Sequence, residues 1–114
     1  MTIADPRFTG ELVLRTGKIY RFDDPGCLAA FLRDRVPASK VQSAWVSDFA
    51  HPDRWLEVGK ASYLLSDTLH TPMASHLAAM TPGREADSVQ AALGGTLLTW
   101  DQVVATVGHG APTP

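Results

Sequence analysis

Polar and apolar residues alternate with period two along Lys18-Ile19-Tyr20-Arg21-Phe22, just after Gly10-Glu11-Leu12-Val13-Leu14-Arg15 and a turn at Thr16-Gly17. That pattern predicts a β-hairpin. Asp23-Asp24-Pro25-Gly26 follows. Asp24 suits a helix N-cap, and Pro25 suits the first helical position. The helix runs from Cys27 to about Arg35, with Cys27, Leu28 and Phe31 on one face, and Pro37 ends it. Lys40-Val41-Gln42-Ser43-Ala44-Trp45-Val46 predicts a third strand.

The second half repeats this order loosely. Residues 55–65 read as extended, with a break at Gly59, and residues 74–80 read as another strand. Thr81-Pro82-Gly83 repeats the cap logic of Asp24-Pro25-Gly26. A helix over 84–93 then stops at Gly94-Gly95. Residues 96–100 form a last strand, and Asp101 caps a short final helix through Val107. The tail 108–114 is expected to be disordered. The predicted fold class is α+β: two similar ββαβ units, about 8–48 and 53–107, packed into one small domain over 1–107. The interval from Pro25 to Trp45 is close to that from Pro82 to Trp100, as an old duplication would leave it. Pro-Gly after a cap residue is also common punctuation.

A chain of 114 residues is long enough for one domain with its own core. Its 45% hydrophobic and 19% charged residues strike an ordinary globular balance. The net charge of −2, with scattered lysine and arginine, argues against a nucleic-acid footprint or a polybasic membrane anchor. Cys27 is the only cysteine, so no internal disulfide forms and the redox compartment stays open. No apolar run approaches the roughly 18 residues that span a bilayer. No signal peptide is visible. The opening Met1-Thr2-Ile3-Ala4-Asp5-Pro6 has the character of a domain already under way, with any address expected upstream.

Candidate chemistry centres on Thr71-Pro72-Met73. Proline fixes its own φ and pushes the preceding residue into an extended form. Thr71-Pro72 is thus a stiff lead-in that places Met73, whose thioether is among the few side chains that prefer Cu(I) to hard cations. The plainer reading is a methionine filling a gap in the core. His76 would share a face with Met73 in a helical turn but point away from it in a strand, and the strand reading is the one favoured. His70 could approach Met73 through a loop, whereas His51 and His109 read as solvated. Cys27 is an excellent Cu(I) ligand type, and a helix N-terminus lowers a thiol's pKa. Its position on the apolar face with Phe31 reads as core. Trp45, Trp55 and Trp100 read as core or sheet-face residues. No Ser-His-Asp or Cys-His signature and no phosphate-cradling loop is present, so catalysis is not expected.

Several segments occur in one order: Asp5-Pro6-Arg7-Phe8, Phe22-Asp23-Asp24-Pro25-Gly26-Cys27-Leu28, Trp45-Val46-Ser47-Asp48-Phe49, Trp55 with Ala61 and Tyr63, Thr71-Pro72-Met73, and Gly94-Gly95. In order and spacing they resemble the NosL family, copper chaperones of nitrous oxide reductase maturation. The resemblance implies a fold of two ββαβ units and no enzymatic activity. It implies one copper held as Cu(I) and passed to nitrous oxide reductase or a related cuproprotein. It also implies a monomer in the periplasm or on the outer membrane, attached through a lipid anchor outside this sequence. The family carries a Cys-x-Met motif just before Asp-Pro-Arg-Phe. Met1 falls where that methionine would stand, and the partner cysteine would lie upstream. With the resemblance added, the candidate ligands are Met73 and Met1, and the chemistry of the side chains leaves His76 and Cys27 as weaker candidates. The rival expectation is a NosL-like module without metal, recognising a protein or small ligand in a groove between the two halves.

Overall fold

The computed structural model describes residues 5–107. The expected tail, 108–114, and Met1 lie outside the described residues. Seven strands and three helices follow one another: β1 (Gly10–Leu14), β2 (Ile19–Phe22), α1 (Pro25–Arg35), β3 (Val41–Ser47), β4 (Trp55–Glu57), β5 (Ser62–Leu65), β6 (Leu77–Met80), α2 (Arg84–Leu93), β7 (Thr96–Leu98) and α3 (Trp100–Thr106). They form a four-stranded sheet in the order β2-β1-β3-β4 and a three-stranded sheet in the order β6-β5-β7. All pairings within the sheets are antiparallel. The fold is α+β. Both sheets place the first strand of a ββαβ run at the centre, but the halves differ in content.

One difference corrects the expected unit boundary. Trp55–Glu57, assigned by pattern to the second unit, is the edge strand of the first sheet, with Val46 opposite Leu56. A turn over 58–60 then leads into β5. The sheets meet where Asp48 bridges to Ala79, and the Phe49 N–H donates to the Ala79 carbonyl at 2.7 Å.

The core explains the two hydrophobic patterns. Leu12, Phe22, Leu28, Phe31, Val46, Tyr63, Leu77 and Val103 form a cluster that joins both sheets to α1 and α3. A second cluster of Phe8, Leu64, Leu69, Ala78, Met80 and Ala86 lies on the other face of the second sheet, beneath α2. The sheet around β6 is therefore covered on both faces. Leu77-Ala78-Ala79-Met80 accordingly reads as a continuous apolar run and is wholly buried. The first sheet exposes alternate residues, which preserves the period-two signal of β2.

Helix caps show where local signals held. Asp24 caps α1, with Pro25 at its first position. Helix α2 spans the expected residues, but its N-cap is Gly83, which offers no side-chain acceptor, so the cap logic of α1 does not recur. Thr99, not Asp101, caps α3: its hydroxyl accepts from the Gln102 N–H, while the Gln102 side chain accepts from the Thr99 N–H. Arg33 of α1 donates at 2.7 Å to the carbonyls of Val104 and Val107, tying α1 to the end of α3.

Candidate functional site

The loop over 66–76 joins β5 to β6 and lies against the N-terminus of α1. Asp24 makes that junction. Its Oδ1 accepts from the Gly26 N–H at 2.8 Å, the capping bond of α1. Its Oδ2 accepts from the N–H groups of Met73, at 3.1 Å, and Ser75, at 3.3 Å. The side chain is 0% exposed. A buried carboxylate is costly unless donors surround it, and here every partner is a backbone N–H at or facing a helix N-terminus. Gly26 permits the close approach. A Cβ at that position would sit 2.5 Å from the Ser75 Cβ.

Thr71 fixes the loop from within. Its Oγ1 accepts from the N–H groups of Ser75 at 2.9 Å and His76 at 3.2 Å. Its carbonyl accepts from the Ala74 N–H at 3.0 Å. The Leu77 N–H donates to the Ser75 hydroxyl at 3.3 Å. Every backbone N–H from Met73 to Leu77 therefore has a partner. This bonding holds Ala74 at φ 60° and His76 at φ 59°, left-handed conformations that side chains rarely adopt. Each costs about 1–3 kcal/mol, so the surroundings must impose it.

The strand expected from Ala74 therefore begins only at Leu77. The side chains of Asp24 and Thr71 take the N–H groups that a longer ladder would need. The segment 73–76 is neither the strand nor the helical turn by which His76 was weighed. The His76 Nδ1 lies 2.8 Å from the Leu69 carbonyl. A carbonyl only accepts, so Nδ1 carries the proton, and in the neutral ring Nε2 keeps its lone pair.

Met73 is 49% exposed, whereas Met80 is fully buried in the second core cluster. The gap-filling reading thus applies to Met80 and not to Met73. Cys27 follows Gly26 in α1 and is half-buried against the main core. Its thiol is pushed up to about 11, first by burial and then by the charges of Asp24 and Asp23. The expectation that the helix N-terminus would lower it is overturned: burial, with the two carboxylates, raises it. His70 and His51 are exposed, as expected for His51, whose Nε2 also lies 3.3 Å from a Glu85 carboxylate oxygen.

Sequence reasoning singled out Met73 and its proline but missed what anchors them. Asp24 and Met73 are 49 positions apart, and no local pattern links them. The Asp-Pro-Gly run hinted at a tight approach, since glycine has no Cβ to clash.

Among the described residues, no group of three or more His, Cys, Asp and Glu side chains clusters as a metal site. No described helix is long and apolar enough to cross a membrane. What the loop carries is an exposed thioether at Met73 and an imidazole at His76, donor types that suit a soft ion. The class defined by fold and site is a small two-sheet α+β domain that holds the Met73 thioether outward on a loop pinned by backbone hydrogen bonds over 73–77. The NosL family model matches residues 1–107, and the chain belongs to the NosL family. The crystal structure of the copper chaperone NosL from Shewanella denitrificans shares the fold, with a TM-score of 0.72 at 20% identity. The match covers 82% of this chain and 76% of that one. No curated protein matches the chain.

Proposed function

We propose that this protein is a copper chaperone without enzymatic activity, which binds Cu(I) at the 71–76 loop and passes it to a cuproprotein. The observation that carries the reading is Met73, half-exposed at the start of a segment, 73–77, in which every backbone N–H has a partner. Membership of the NosL family and the shared fold of a copper chaperone support it.

The ligands in this reading are the Met73 thioether and the His76 Nε2, with Met1 as a second thioether. Cys27 is the weakest of the four, because a thiol titrating near 11 must give up its proton before it binds an ion. Thioethers carry no proton to lose and favour Cu(I) over Zn(II) or Mg(II). A site with few protein donors leaves a coordination position for a donor of the acceptor. The ion then moves by ligand exchange without being released. The acceptor is nitrous oxide reductase or a related periplasmic cuproprotein, and the chaperone works in the periplasm or on the outer membrane through a lipid anchor.

A second reading rests on an open, largely apolar groove of about 680 Å³ between α1 and α3, lined by Leu32, Val36, Val41, Val58, Trp100 and Val104. It would make the domain a metal-free binding module. Titration with Cu(I) against a competing chelator separates the two. The copper reading requires tight binding of one ion and a loss of at least about tenfold in affinity in Met73→Ala. A chain that binds no Cu(I) leaves the groove as the working surface, and unchanged affinity in Met73→Ala removes Met73 from the site.

A further inference from the structure

We infer that Asp24 is the positioning residue of the copper site, an inference that rests on the reading above. The carboxylate does two jobs at once. One oxygen caps α1 through Gly26, and the other holds Met73 and Ser75 by their backbone N–H groups. The two N–H groups flank Ala74, whose left-handed φ of 60° relaxes unless both ends are held. Thr71 clamps Ser75 and His76 from inside the loop, but it makes no bond to the Met73 N–H. Asp24 accepts from that N–H, and so it sets where the thioether emerges. Because the carboxylate also begins α1, the site is referenced to the most deeply packed helix and not to the loop alone. The benefit is preorganisation: an ion that meets a fixed donor does not have to order the loop.

Asp24→Ser tests this. Serine caps a helix nearly as well as aspartate, but its hydroxyl is too short to serve both Gly26 and the loop. Asp24→Asn is the second variant. It keeps the shape but has one acceptor oxygen where three N–H groups converge. Three quantities are measured on each: helix content and melting, amide hydrogen exchange at Met73 and Ser75, and Cu(I) affinity by chelator competition. The account expects a folded Asp24→Ser protein whose Met73 and Ser75 amides exchange at least about tenfold faster, and whose Cu(I) affinity falls about tenfold, the range for losing bonds to a charged group. In a Met73→Ala background the same change should lower affinity no further, because the two act through one atom. Should Asp24→Ser fail to fold, Asp24→Asn carries the same expectations.

Faster exchange with unchanged copper affinity overturns the positioning role and leaves the copper reading intact. An equal fall in the Met73→Ala background also overturns it, since the carboxylate would then act elsewhere. If Met73→Ala itself leaves affinity untouched, Met73 is not a ligand and this inference falls, and a chain that binds no Cu(I) at all sinks the copper reading with it.

Discussion

The two sheets solve the same connection in opposite ways. Between β1 and β2 the chain turns over residues 15–18, with the Leu14 N–H donating to Lys18 and the Gly17 N–H to Leu14. Gly17 takes the positive φ that the turn needs, 92°, and nothing packs against it. Between β5 and β6 the chain spends residues 66–76, and there two non-glycine residues are forced left-handed. The caps differ in parallel. Gly83 begins α2 with no side-chain bond, whereas Asp24 begins α1 and reaches across to the long loop of the other half. Strain and buried polar bonding accumulate where the second half departs from the first, and the exposed thioether sits at that departure. Stored strain at one loop and none at its counterpart is what a functional loop on a rigid scaffold leads one to expect.

The sharpest contrast lies between the sulfur atoms of the second hairpin. Met80→Ala empties a fully buried site and should cost about 2–5 kcal/mol by chemical denaturation. Met73→Ala, at a half-exposed position, should change stability by less than about 0.5 kcal/mol while abolishing most of the copper affinity. A large stability loss in Met73→Ala would mean that the loop packs through this side chain.

Gly26→Ala comes next. Its Cβ meets the Ser75 Cβ, so it should cost about 1–3 kcal/mol and displace the loop, weakening Cu(I) binding. Gly17→Ala in the short turn bears only the left-handed penalty of about 1–2 kcal/mol and should leave copper affinity unchanged. A matched pair of threonines is subtler. Thr71→Val removes the acceptor for the Ser75 and His76 N–H groups and should cost about 1–3 kcal/mol. Thr16→Val loses only a long, exposed bond from the Lys18 N–H and should stay within about 0.5 kcal/mol. Equal costs for the two threonines would break the comparison.

The smallest effect concerns Cys27. Its thiol is raised from an ordinary 9.0 to about 11, so alkylation of the native protein should reach half its maximal rate near pH 11. The sign for stability follows. The folded value is above the unfolded one, so the contribution is whole below about pH 9 and is lost as pH rises towards 11. Burial raises the Tyr63 hydroxyl as well, in the same direction. Rapid alkylation at pH 8 would show a thiol more open than the structure gives.

Elements with local punctuation were readable from the chain. Asp24-Pro25 marks the start of α1 and Gly94 the end of α2, because caps act within one turn. The signature for α3 was also present, Thr99 followed by Gln102, and was passed over in favour of the more acidic Asp101. What local reading could not supply was partnership. Nothing in Trp55-Leu56-Glu57 says that it joins the first sheet, because register depends on a strand elsewhere. Met73 was singled out through its proline and its chemistry, yet Thr71 and Asp24 were seen only as lead-in and cap. Their second roles arise from side chains that compete with the sheet for backbone N–H groups, and propensity has no access to that competition. Cys27 was read correctly as packing against the core, but the direction of its pKa was not: burial and two carboxylates raise it.

The most direct measurement uses the two described methionines as reporter and control. With methyl groups labelled with carbon-13 and Met73→Ala fixing the assignment, Cu(I) is added in steps under reducing conditions. The Met73 methyl resonance should move and saturate at one equivalent, while that of Met80, sealed in the core, stays in place. Copper bound at one equivalent with the Met73 resonance unmoved would contradict the account.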